Sequence, residues 1–172
     1  MKWMTTGLVA AIGLVASASC TLRYAPNPPP IESRLVTDLK ASGPIQFQNT
    51  QNSTAETDLR VPPYTVKVNL YQYTDSVIRL IKRALEGKGI SFSDNAEKIV
   101  RLAVIDVRMI PLAGGRFRCA LNLTVETALT GTKGMEASAQ SWNFQKAIDY
   151  AIADAAALIL NNKEITNYLA GQ

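Results

Sequence analysis

The sequence predicts an α+β fold: a two-layer domain in which an antiparallel sheet of about four strands carries two helices on one face. Three patterns predict it. From Arg116 to Leu129 the chain alternates, with Phe117, Cys119, Leu121, Leu123, Val125, Thr127 and Leu129 on one side of a strand and Arg116, Arg118, Asn122, Thr124 and Glu126 on the other. From Asp75 to Leu85 the period changes to that of a helix, with Val77, Ile78, Ile81, Ala84 and Leu85 on one face. A second helical stripe, broad and alanine-rich, runs through Phe144, Ala147, Ile148, Ala151, Ile152, Ala155 and Ile159. The order of strand, helix, three-stranded meander and helix places both helices against one sheet face.

The elements follow in order. Pro44 to Gln48 alternates weakly, as a short edge strand would, and the polar run Asn49 to Arg60 reads as a surface loop. Val61-Pro62-Pro63 delimits a strand over Tyr64 to Leu70, with Val66, Val68 and Leu70 inward. Thr74 or Asp75 can cap the first helix, and Gly87 and Gly89 end it. After a brief extended segment, Ile90 to Phe92, and a polar turn, Ser93 to Glu97, comes the most apolar strand, Lys98 to Ile110. There Val100, Leu102 and Val104 take one side and Ala103, Ile105 and Val107 the other, the pattern of an interior strand. Pro111 to Gly115 is a turn, and Thr130 to Gly134 closes a hairpin into a weaker strand, Met135 to Ser141. Asn143 can cap the last helix, and Asn161 to Lys163 would fray it before Ile165, Tyr168 and Leu169 resume the apolar side.

What precedes the domain bears on location. Met1-Lys2 with its one positive charge, the apolar run Gly7 to Val15 and the small residues ending at Ser19 have the form of a secretory leader, and Trp3 to Ala18 is shorter than the roughly 20 residues that span a bilayer. Leu14 to Cys20 resembles the lipobox of bacterial lipoproteins. That resemblance implies cleavage after Ser19, residues 1–19 as signal peptide, and acylation of Cys20 as the first mature residue. Ser17 departs from the aliphatic residue usual three positions before the cysteine. Ala16-Ser17-Ala18 is also an A-x-A site for ordinary signal peptidase, which would release a soluble protein. Residues 20–43 then hold the cysteine, a tether with four prolines between Leu22 and Pro30, and a short helical segment with Ile31, Leu35 and Leu39 on one face. The proline run is expected to be a stiff spacer, and residues 44–172 a single α+β domain.

The layout from Tyr64 to Leu169 behind such a leader is similar to the YajG-like family of bacterial outer-membrane lipoproteins. It is also similar to accessory lipoproteins of periplasmic transport and surface-assembly machines. The residues that carry the resemblance are Asp75 to Leu85 with Gly87-Lys88-Gly89-Ile90, the strand Ile99 to Val107, and the helix from Phe144. It implies attachment to the outer membrane, facing the periplasm; a soluble periplasmic form is the alternative. No functional motif is carried over residue by residue.

Histidine is absent, which excludes His-based metal sites and Ser-His-Asp or Cys-His catalysis. The net charge of +4, or +3 once Lys2 is lost with the leader, gives no nucleic-acid footprint. Asp106, Glu126, Glu136, Asp149 and Asp154 form no catalytic motif; Asp106 interrupts an apolar strand, as an ion pair, a strand end or a buried acid would. The glycine pairs lack the phosphate-loop pattern. No catalytic, cofactor or metal site is expected. If Cys20 is acylated, Cys119 is a lone thiol on the apolar side of its strand, a packing residue rather than a reactive one. Arg116, Arg118, Asn122, Thr124 and Glu126 would line the sheet face away from the helices, either as a binding face or as a solvated one. The expected function is a non-enzymatic envelope lipoprotein held to the membrane by its lipid and binding protein partners in an outer-membrane assembly or transport complex. The alternative is a periplasmic module carrying a lipid or glycan between its layers, which requires a cavity there.

Overall fold

The computed structural model describes residues 21–31, 39 and 41–172. Its elements are strands β1 (Thr21–Arg23), β2 (Ile45–Asn49), β3 (Glu56–Val61) and β4 (Tyr64–Asn69), helix α1 (Leu70–Glu86), strands β5 (Lys98–Pro111), β6 (Phe117–Thr127) and β7 (Gly131–Ser141), and helices α2 (Phe144–Leu160) and α3 (Lys163–Ala170). The main sheet has the order β2-β5-β6-β7. Helix α1 packs over β2 and β5, helix α2 over β6 and β7, and the helices meet side by side. This is the α+β architecture expected, with two helices on one face of a four-stranded sheet.

The fourth strand is not the expected one. The Tyr64 strand belongs to a second sheet, of order β1-β4-β3, and the main sheet is completed by β2, which runs parallel to β5. The Asn49 to Arg60 stretch, expected to be all loop, supplies β3, which pairs antiparallel with β4 in a hairpin. Its alternation is clear in place: Leu59 and Val61 are buried while Glu56, Asp58 and Arg60 face water.

Helix α1 is capped five or six residues earlier than expected. Asn69, directly at the end of β4, accepts a hydrogen bond from the Gln72 amide at 3.0 Å and caps it. Thr74 is therefore interior and fully buried. Helix α2 begins as expected, with the Asn143 side-chain carbonyl accepting from the amides of Gln145 and Lys146. Its alanines 147, 151, 155 and 156 are completely buried, which lets the helix axis approach the sheet closely beside Ile148, Ile152 and Ile159. The break at Asn161 becomes a new start, since Asn162 caps α3.

Strand β5 carries the main departure from simple alternation. Val104 pairs with Leu123 and Asp106 with Asn122, so Ile105 is an extra residue in a β-bulge. Val100, Leu102 and Val104 point to the helices before the bulge and Val107 after it, while Ile105 is 52% exposed. The expected grouping of Ala103, Ile105 and Val107 on one covered side fails for that reason. The β6–β7 connection is also earlier than expected, since β7 already begins at Gly131, whose φ of 64° suits the turn. Leu129 consequently lies outside the strand and is exposed. The expected helix over residues 31–40 lies outside the described residues, apart from Ile31 and Leu39, which both pack on the core.

Candidate functional site

Strand β6 presents Arg118, Asn122, Thr124 and Glu126 on the sheet face away from the helices, as the alternation requires. These residues are engaged with their neighbours. Glu126 pairs with Arg101 at 3.1 Å, across the β5–β6 register. Arg108 reaches both Asp106 and Glu136 at 3.3 Å. The Asn122 amide, oriented to satisfy both neighbours, accepts from Arg108 Nη2 at 3.1 Å and donates to Glu136 Oε2 at 3.3 Å. Arg118 donates to Ser138 Oγ at 2.9 Å. Thr124 stands between Ala103 and Gly134. Asp106 is thus a member of a half-exposed charge cluster on an open face.

Arg116 does not share that face. It lies in the turn before β6, with its guanidinium carbon 5.8 Å from the ring centroid of the exposed Trp142. The five expected residues therefore divide into a four-residue ladder with locally balanced charges and one residue at the sheet end.

A second surface has no counterpart among the expected sites. The proline-rich segment, expected to stand the domain off as a spacer, is folded onto it over residues 21–31. Its first three residues form β1, parallel to β4, with Thr21 opposite Thr65, Leu22 opposite Val66 and Arg23 opposite Lys67. Tyr24 then donates its hydroxyl to Asp149 Oδ2 on α2 at 2.8 Å, and the Asn27 amide donates to Asp149 Oδ1 at 2.8 Å. Burial first, then the bond to Asp149 and its charge, push the Tyr24 phenol well above the usual range. Pro26 and Pro28 line a concavity with Leu80 and Arg83 of α1; Pro29, Pro30 and Ile31 continue past Ala153 and Ala157 of α2. The segment is a strap across the helical layer. Proline favours this because its ring fixes φ and leaves fewer amides needing partners along an irregular path.

The space between helices and sheet is filled. Leu102, Val104, Leu121, Leu123, Ile148 and Ile152 are 0–1% exposed and belong to one continuous core. A concavity of about 340 Å³ opens at the surface between Pro44, Asn95 and Lys98. Cys119 is wholly buried and free, and burial pushes its thiol up to about 12. Tyr73 is equally buried, and its hydroxyl has no hydrogen-bond partner among the described residues. No group of three metal-ligating side chains gathers among the described residues, and no helix among them is long and apolar enough to cross a membrane.

No protein-family model matches the sequence, and no curated protein matches it significantly. Among solved structures, the chain is similar to protein XCC0632 from Xanthomonas campestris, of the family DUF330. The TM-score is 0.51 at 8% identity, over 88% of this chain and 95% of that one. A second similarity, to a proposed lipoprotein from Caulobacter crescentus, has a TM-score of 0.42 at 16% identity, over 74% of this chain and 90% of that one. The first likeness shows a shared fold. Neither description names the YajG-like family.

Proposed function

We propose that this chain is a lipid-anchored protein of the bacterial envelope, held at the membrane through acylated Cys20 and acting by binding protein partners in an outer-membrane assembly or transport complex. The observation that carries the reading is a leader of residues 1–19 followed directly by Cys20, one residue before the paired strand that begins at Thr21. Acylation gives a cysteine at that point of a leader a role. The close-packed interlayer supports a partner-binding module over a lipid or glycan carrier, since a carried molecule needs enclosed volume that the described core does not leave. The locally balanced charges on the β6 face support a protein partner over a polyanion.

Labelling cells with radioactive palmitate tests the anchor. Label is expected in the wild-type chain and not in Cys20→Ser, and an unlabelled wild type would overturn the reading. Crosslinking in the intact envelope, followed by identification of the captured proteins, tests the partner. Recovery of the same envelope protein from wild type, and its loss from the Cys20→Ser variant, is the expected result.

A further inference from the structure

We infer that the tip of the β3–β4 hairpin rests in the headgroup layer of the membrane, so that the second sheet stands end-on to the bilayer; this rests on acylation of Cys20. Strand register sets the distance. Thr21 pairs with Thr65, and Tyr64 follows the turn through Pro62 and Pro63. With trans peptide units of about 3.8 Å and neighbouring strands about 4.8 Å apart, the Tyr64 Cα lies within roughly 12 Å of the Cys20 Cα, whichever way that residue turns. No spacer intervenes, because the chain is already a paired strand at Thr21.

The far end of the strand is fixed as well. Tyr24 is tied to α2 through Asp149, so β1 cannot peel away to act as a tether without losing that bond. A bilayer's polar layer is only about 5–7 Å deep on each side. A cysteine whose acyl chains enter the hydrocarbon therefore holds the hairpin tip within roughly 12 Å of that layer, close enough for the tip's own chemistry to decide whether it enters.

The chemistry of the tip suits the location. Leu22, Pro62, Pro63 and Tyr64 are all exposed, with Tyr64 at 43% and Leu22 at 41%. Tyrosine favours the membrane interface, where its ring meets apolar surface and its hydroxyl meets water. The two prolines bring no backbone N–H that would have to shed water. Arg60 stands opposite Thr65 on the outer face, exposed and without an ion pair among the described residues, placed to meet an anionic lipid phosphate.

The test uses the full-length acylated protein, extracted from cell membranes and reconstituted in vesicles of phosphatidylethanolamine and phosphatidylglycerol. Trp142→Phe removes the described native reporter and Tyr64→Trp places one at the tip, both at exposed positions. Flotation reads anchoring; quenching by lipids brominated near the headgroup end of their acyl chains reads the tip. A floating protein in which the introduced tryptophan gives blue-shifted, quenched emission is the expected result. A floating protein with water-like, unquenched emission would overturn the orientation and leave anchoring intact. Failure to float, alike in this protein and its Cys20→Ser variant, would overturn both.

Discussion

Both carboxylate oxygens of Asp149 are used on the N-terminal strap: Oδ2 accepts from the Tyr24 hydroxyl and Oδ1 from the Asn27 amide, each at 2.8 Å. One side chain on α2 thus fixes the path of a segment about 120 residues earlier in the chain. Hydrogen bonds to a charged group contribute about 1.5–3 kcal/mol each, less where water reaches them, as it does at Asn27. Asp149→Ala is expected to cost about 1–3 kcal/mol in denaturant unfolding and to open the strap to cleavage between Tyr24 and Ile31 in limited proteolysis. Asp149→Asn, which keeps an acceptor for one donor, is expected to fall between wild type and Asp149→Ala.

Thr74 joins the helical layer to the bulge. Its hydroxyl donates to the Leu70 carbonyl at 2.9 Å and accepts from the Val104 amide at 2.8 Å, with no exposure to solvent. Thr74→Val keeps the shape and leaves the Val104 N–H buried without a partner, at a cost of about 1–3 kcal/mol. Thr74→Ser keeps the bond and is expected to lose much less. Chemical denaturation of the two variants separates them.

The opposite case is Tyr73, whose buried hydroxyl has no partner among the described residues. Tyr73→Phe removes a desolvated polar atom and keeps the ring, so stability is expected to hold or rise, by up to about 1 kcal/mol. A marked loss on denaturation would reveal a partner for that hydroxyl.

Burial holds the Cys119 thiol in its neutral form, with its pKa raised to about 12. A folded-state value above the unfolded one, near 8.5, means that the associated stability is fully present below the unfolded value. It is lost as pH rises toward 12. Denaturation midpoints for wild type are expected to fall above about pH 8.5 more steeply than for Cys119→Ala. In the native protein a maleimide is expected to leave Cys119 unmodified at neutral pH and to label it once the chain is unfolded in denaturant.

How much of this is legible in the chain depends on whether the signal is local. Asn143 and the Phe144 stripe stand side by side in the sequence, and α2 begins where they say. Strand β3 has its own alternation, Leu59 and Val61 against Asp58 and Arg60, but the polar run before it blurs the pattern. The bulge at Ile105 is invisible, because an inserted residue only shifts the phase of an apolar strand that already has apolar residues on both sides. Thr74 suggests a cap because a capping residue and a buried threonine are alike in sequence; the true cap, Asn69, looks like the end of a strand. At the candidate site, the β6 ladder follows from period two, while its charge balance depends on partners in β5 and β7. The strap reads as a spacer because its hold is Asp149, which no local pattern links to Tyr24.

Anchoring and the placement of the hairpin tip both turn on the chemical state of the mature N-terminus, and intact-mass spectrometry of the protein extracted from cell membranes reads it directly. The expected mass is that of a chain beginning at Cys20 and carrying a diacylglycerol thioether, with Cys20→Ser abolishing the lipid increment. A chain beginning at Ser19, with Cys20 unmodified, would contradict it.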